Sequence, residues 1–248
     1  MKLLNELRVL LAEDIPMNYI LARKWLEEEG ALVDLAINGR IATEFVQKSE
    51  YDVILMDIMM PEMSGYEATE FIRKELKCKT PIIAITAISL PGEREKCLNL
   101  GMNEFVTKPY KKEELVKKII STTQKKEDVV EASVTKSSDL IDYSYLREIS
   151  SGDEEFMLEL MATFTEQFEI GFSELKKAFE NLDREQIKQV SHRLKSTSSM
   201  LGIKILSDNL NKMEIACSEL NSEKVHKLME QLSKDQVVVI SELKEKMK

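Results

Sequence analysis

The chain is patterned in two different ways along its length. Through about residue 121, short apolar runs alternate with helical stretches; beyond about residue 140, only helical periods occur. The first half predicts strands over residues 8–12, 31–35, 53–56, 81–85 and 104–106. Helices are predicted over about 16–29, after Asn38-Gly39, over 66–76, over 92–100 and over 111–121. Pro16 suits the first turn of its helix, and Gly30 and Gly101 stop theirs. Val53 to Met56 runs apolar without alternation, as a strand buried on both sheet faces does. Five strands alternating with helices call for a parallel, doubly wound α/β sheet covered on both faces.

Residues 123–139 lose periodicity and are rich in Lys, Glu, Ser and Thr, so they read as a linker between residues 1–122 and 140–248. The second half carries the stripes Phe164-Phe168-Phe172-Leu175-Phe179, Leu206-Leu210-Met213-Cys217 and Val225-Leu228-Leu232-Val239-Leu243. Capping-box patterns at Ser151–Glu154 and Asp183–Gln186 place helix starts near 152 and 184, and Gly171 is a candidate bend. An all-α four-helix bundle is the economical expectation.

The net charge of −9 argues against a nucleic-acid binder, which would want a concentrated basic face. Cys78, Cys97 and Cys217 are odd in number and unpaired by spacing, and two histidines build no zinc framework with them. They read as reduced cysteines of a cytoplasmic protein. The N-terminus is unlike a signal peptide, and no apolar run approaches membrane-spanning length.

The informative polar residues stand where strands end: Glu13, Asp14, Asp57, Thr86 and Lys108. In open parallel sheets that edge is where ligands gather, and the connections would bring these five together. Asp57 taken alone could equally cap its loop, and Lys108 alone could be a plain ion-pair partner. Converging carboxylates repel unless a cation joins them, and oxygen ligands suit Mg²⁺. With Lys108 and Thr86 to hold phosphoryl oxygens, Asp57 would be the nucleophile of an aspartyl phosphate.

Glu13-Asp14, Asp57 followed by Met60-Pro61 and Gly65, Thr86-Ala87, Gly101 and Lys108-Pro109 resemble the response-regulator receiver domain over roughly residues 5–122. The resemblance implies a flavodoxin-like sheet. It further implies Mg²⁺ bound by Asp14, Asp57 and the backbone carbonyl of Met59, with Glu13 assisting through water, and a cis Lys108–Pro109 bond. Phe105 falls at the family's aromatic switch position, and Ser64 stands where the family often has Asp.

In the second half, His192 lies two positions from both Val190 and Leu194 of an apolar stripe, about 200° away on a helix wheel. The wheel points its imidazole away from the core, on a face shared with Gln189, Lys195, Ser196 and Ser199. A lone exposed histidine is more often an ordinary surface residue. Ser191-His192-Arg-Leu194-Lys195-Ser196, with Leu201-Gly202 downstream, is similar to the core of histidine phosphotransfer (HPt) domains. That implies phosphoryl transfer through His192 with Lys195 stabilising the charge, whereas His226 is expected to be ordinary. No proline follows His192 as in a kinase dimerisation helix, and the tail is too short for an ATP-binding domain.

The two resemblances together imply a phosphorelay protein. A sensor histidine kinase would supply Asp57, and His192 would pass phosphate to or from another receiver or HPt protein without ATP consumption. Two alternatives are a phosphorylation-switched adaptor and a C-terminal piece of a hybrid sensor kinase. A flexible linker spans roughly 25 Å and gives an effective concentration on the order of millimolar, so transfer within one chain is expected to be open. Apolar Met59 and Ile88, two residues past Asp57 and Thr86, predict slow hydrolysis of the aspartyl phosphate.

Overall fold

The computed structural model describes residues 2–86, 93–123 and 141–247. Ala87, Ile88 and all of the expected linker except Thr123 lie outside the described residues. Thr123 itself is the last residue of a helix. The chain divides into two compact units.

The first unit is a sheet of five parallel strands, β1 (Arg8–Ala12), β2 (Leu32–Ala36), β3 (Val53–Asp57), β4 (Ile82–Thr86) and β5 (Glu104–Thr107), in the order β2-β1-β3-β4-β5. Helices α1 (Pro16–Glu28), α2 (Gly39–Lys48), α3 (Gly65–Lys74), α4 (Glu93–Asn99) and α5 (Lys112–Thr123) follow the strands in turn. The central strands β3 and β4 are buried at every position, as their unbroken apolar runs require. Edge strand β2 alternates instead, with Leu32 exposed and Ala36 buried. One core packs Leu10, Ile54, Met56, Ile72, Ile82 and Ala84 against helices α2 and α3.

Register decides where the chemistry sits. Ala12 pairs with Met56, Asp57 with Ile85, and Thr86 with Thr107. The residues just beyond these pairs, Glu13, Asp57, Thr86 and Lys108, therefore finish at one level along the sheet edge. Ser64, unusual for the receiver pattern, does a defined job here. Its hydroxyl accepts from Glu67 N while its own N–H donates to the Glu67 carboxylate, a complete capping box that starts α3 at Gly65.

The second unit is all helical: α6 (Tyr143–Ile149), α7 (Glu154–Glu180), α8 (Arg184–Met200), α9 (Lys204–Ser218) and α10 (Ser222–Lys246). The four long helices are joined by three-residue turns and close a ring, α7 on α8, α8 on α9, α9 on α10 and α10 on α7. The α7 cap is Asp153, which accepts from Phe156 N, so that helix starts two residues later than expected. Asp183 caps α8 as its pattern predicts, accepting from Gln186 N. Gly171 does not break α7, which runs through it. A Cβ there would stand 2.7 Å from Leu194 Cδ2, so this glycine lets α8 pack close.

Phe164, Phe168 and Phe172 stack in series along α7, with ring centroids 5.3 Å and 6.0 Å apart. Phe168 stands in the middle and is fully buried. Phe168→Ala should therefore cost the bundle about 3–5 kcal/mol. Denaturant unfolding of the helical unit measures this, and a loss below about 1 kcal/mol would place Phe168 outside the core.

Candidate phosphotransfer sites

The edge of the first unit holds Lys108 between two carboxylates. Its ammonium Nζ donates to Glu13 Oε2 at 2.5 Å and to Asp57 Oδ2 at 2.6 Å, with all three side chains at most 5% exposed. The Lys108–Pro109 peptide is cis, as the resemblance implied. Lys108 N also donates to Thr86 O, so β4 carries the lysine into place. The backbone N–H of Met59 donates to Asp57 Oδ1 at 3.1 Å, which orients the carboxylate from its own loop. Thr86 is buried at the end of β4.

Asp14 completes the group. Each of Glu13, Asp14 and Asp57 places a carboxylate oxygen within 4.8 Å of the others. Three acids thus gather at one edge, two of them on the Lys108 ammonium, and Asp14 is the member nearer to solvent. Glu13 sits deepest: Oε1 accepts from Asn18 Nδ2 at 2.9 Å and from Ile15 N at 3.3 Å, while Oε2 holds Lys108. Asn18 was not legible as a site residue, since an Asn in the first turn of a helix is unremarkable.

Burial pushes the Glu13 carboxyl up to about 8, with Lys108 opposing and Asp57 adding to the rise. Burial works against the charge on Lys108, but Asp57 and Glu13 outweigh it and raise its pKa. Between the ordinary 4.5 of glutamate and about 8, the folded protein keeps a proton on Glu13 that the unfolded chain has released. That stabilisation is complete below about pH 4.5 and is lost as pH rises through about 8. In chelator, the melting temperature of the first unit should fall over this window, and Glu13→Gln should flatten the fall. A wild-type profile already flat there would contradict the assignment.

In the second unit His192 lies on α8, but not out in solvent. Its side chain is 16% exposed, and Nδ1 stands 3.1 Å from Glu214 Oε1 on α9. Lys195 Nζ donates to the other oxygen, Oε2, at 2.6 Å and reaches Asn211 Oδ1 at 3.4 Å. Burial would raise the Glu214 carboxyl, but His192 and Lys195 more than offset it and hold its pKa below the ordinary value. One carboxylate therefore holds the lysine by a hydrogen bond and sets its other oxygen beside the histidine without one.

The helix wheel missed this because it counts one buried face, whereas α8 is covered by α7 and α9 together. Ser191, Ser196, Thr197 and Ser198 are all buried, small enough for the neighbouring helices to close on them. Ser196 is thus buried, although the wheel grouped it with the exposed imidazole. Gln189 does share the open face, donating to Glu185 Oε1. Glu214 and Asn211 were invisible to sequence patterning, because nothing local marks which acid on α9 meets His192. His226 is an exposed residue whose ring leans on Phe179.

Comparison with known proteins finds a known domain in each half of the chain. Residues 9–120 match the response regulator receiver domain and residues 159–245 the Hpt domain. The aerobic respiration control sensor protein ArcB of Escherichia coli is 30% identical over 210 residues, covering 82% of this chain and 27% of that protein. Sensor protein GacS of Pseudomonas syringae is 26% identical, covering 79% of this chain and 23% of that protein. The chain thus spans about a quarter of the length of these relatives. Among solved structures, the receiver domain of a sensor histidine kinase from Pseudomonas aeruginosa, with magnesium coordinated in its active site cleft, is 39% identical. It covers 48% of this chain and 98% of that one, with a TM-score of 0.45. The chain carries a response regulator receiver domain followed by an Hpt domain.

Proposed function

We propose that the chain relays a phosphoryl group between Asp57 and His192, receiving it from a sensor histidine kinase and exchanging it with a further receiver or HPt protein. The observation that carries this reading is the burial of a single lysine between Glu13 and Asp57, one strand from Thr86. In the first step an Asp57 carboxylate oxygen attacks phosphorus. The new O–P bond forms as the N–P bond of the donor phosphohistidine breaks, and the donor imidazole takes back the electron pair. Lys108 turns from a carboxylate to the incoming phosphoryl oxygens, and the Thr86 hydroxyl donates to another.

The donor set fits Mg²⁺. Three carboxylates with one buried ammonium leave an excess of negative charge among hard oxygen ligands, facing the solvent side at Asp14. Asp14, Asp57 and the Met59 carbonyl would hold the ion, while Glu13, already engaged by Lys108 and Asn18, suits the water-mediated role. When bound, the ion shields the charge of the phosphoryl oxygens. The Met59 side chain, half exposed at the rim, brings no group that activates water, which favours a slow leak from the aspartyl phosphate.

In the second step Nε2 of His192 attacks the phosphorus on Asp57, and the O–P bond breaks to regenerate the carboxylate. Glu214, whose Oε1 stands 3.1 Å from Nδ1, would support this by its charge, favouring a proton on Nδ1 and so the lone pair on Nε2. Lys195 stands beside it to stabilise the transferred charge. A second reading, that this relay works inside a longer hybrid sensor kinase, is supported by relatives that are themselves sensor proteins. Isolating the protein from its native source and measuring its mass decides between the two.

Asp57→Asn should take up no phosphate from acetyl phosphate, whereas His192→Gln should label normally yet fail to pass phosphate to a second receiver. Stable labelling of Asp57→Asn would sink the first assignment, and onward transfer by His192→Gln the second. Glu214→Ala should keep the bundle helical and slow transfer by about tenfold or more, the usual scale for losing a residue that orients a reacting imidazole. Transfer at the wild-type rate would reduce Glu214 to a surface brace. Transfer from Asp57 to His192 is expected at a rate independent of protein concentration. Mixed Asp57→Asn and His192→Gln chains that transfer as fast as wild type would instead show exchange between molecules.

A further inference from the structure

We infer that Gly39, at the start of α2 and outside the acidic cluster, is a positioning residue for the receiver site: it latches the β3–α3 loop that carries Met59. The inference rests on the proposed role of Met59 at the metal and on its observed bond to Asp57. That loop, residues 58–64, is closed at its base, where Gly65 N donates to Ile58 O at 3.0 Å. Its far end is hooked elsewhere. Met63 O accepts from Gly39 N at 3.0 Å, so the loop hangs between the end of β3 and the first turn of α2.

The hook leaves no room for a side chain. A Cβ on Gly39 would stand 2.4 Å from Met63 O and 3.0 Å from both Met63 Cγ and Ala68 Cβ. The nearest obstacle is backbone, so something must move, and the loop is the softer side. Helix α2 is fixed by its cap, Asn38 Oδ1 accepting from Ile41 N, and by the buried Ala42 and Thr43. Pro61 and Glu62 at the loop tip are exposed, and Glu62 already holds a strained φ of 63°. The exposed ion pair of Arg40 Nε with Glu62 Oε2, at 3.1 Å, also ties the tip to α2.

Pushing Met63 away therefore strains residues 59–62 about the closed base, against the core packing of Met60. Met59 is in that arc: its N–H orients Asp57, and its carbonyl is the proposed third protein ligand of the cation. The conformation needed at Gly39 is not left-handed, so alanine there tests crowding rather than backbone strain.

The test is Mg²⁺ titration by calorimetry on the full chain, with phosphorylation by acetyl phosphate followed in parallel. Gly39→Ala should bind Mg²⁺ about tenfold more weakly, the lower end for disturbing a residue behind a metal ligand, and should accept phosphate more slowly. Arg40→Ala, which leaves the helix start intact, should weaken binding by about twofold, in line with an exposed pair. It carries the test alone if Gly39→Ala does not fold. Asp14→Asn serves as reference. If it binds Mg²⁺ like wild type, the metal reading itself is wrong. If Asp14→Asn is weakened while folded Gly39→Ala and Arg40→Ala both match wild type, the latch is overturned.

Discussion

The Lys108 ammonium, buried between Glu13 and Asp57, is the interaction on which the receiver depends. Desolvating charged groups is expensive, and the Lys108 ammonium against Asp57 and a Glu13 carboxyl that burial pushes towards its neutral form, with Asp14 close by, leaves the balance unfinished. The sheet enforces the arrangement all the same. Strands β1, β3, β4 and β5 end level because their apolar cores set the register, and the residues after each core have nowhere else to go. Hydrophobic burial thus holds together groups that would repel in water. The unfinished balance is what a divalent cation and a phosphoryl group can enter.

The bundle solves a related problem with the opposite sign at its centre. There one carboxylate, Glu214, is shared by an imidazole and an ammonium, and its charge is kept by both. The receiver arms an acid with a base, and the bundle arms a base with an acid. On the proposed relay, each reactive group would be oriented before a partner arrives, so less of the barrier would be left to be met by chance encounter. The small buried residues of α8 and Gly171 of α7, which lets α8 pack close through Leu194, keep the helix that carries His192 tightly seated in the bundle.

Much of this was legible in the residues themselves. Unbroken apolar runs such as Val53–Met56, with polar residues immediately after them, placed five strands and the acidic edge to within a residue or two. Glu13, Asp14, Asp57, Thr86 and Lys108 could be read because each is tied to a strand end by a local pattern. Glu214, Asn18 and Gly39 could not, because their partners lie on other elements and no periodicity records who meets whom. The half-burial of His192 escaped for a related reason: a wheel describes one helix, and exposure belongs to the packed bundle. Ser64 was legible as a departure from the family pattern, yet its capping role needed Glu67 in view.

In the proposed relay one phosphoryl group visits two chemically different atoms of this chain. The direct measurement is phosphorus NMR of the wild-type protein with Mg²⁺ after loading by a phosphorylated histidine donor. It should show an acyl phosphate and an imidazole phosphoramidate substituted at Nε2, the first feeding the second, with the phosphoramidate lost in acid. An acyl phosphate that decays to inorganic phosphate with no phosphoramidate, or a phosphoramidate on Nδ1, would contradict it.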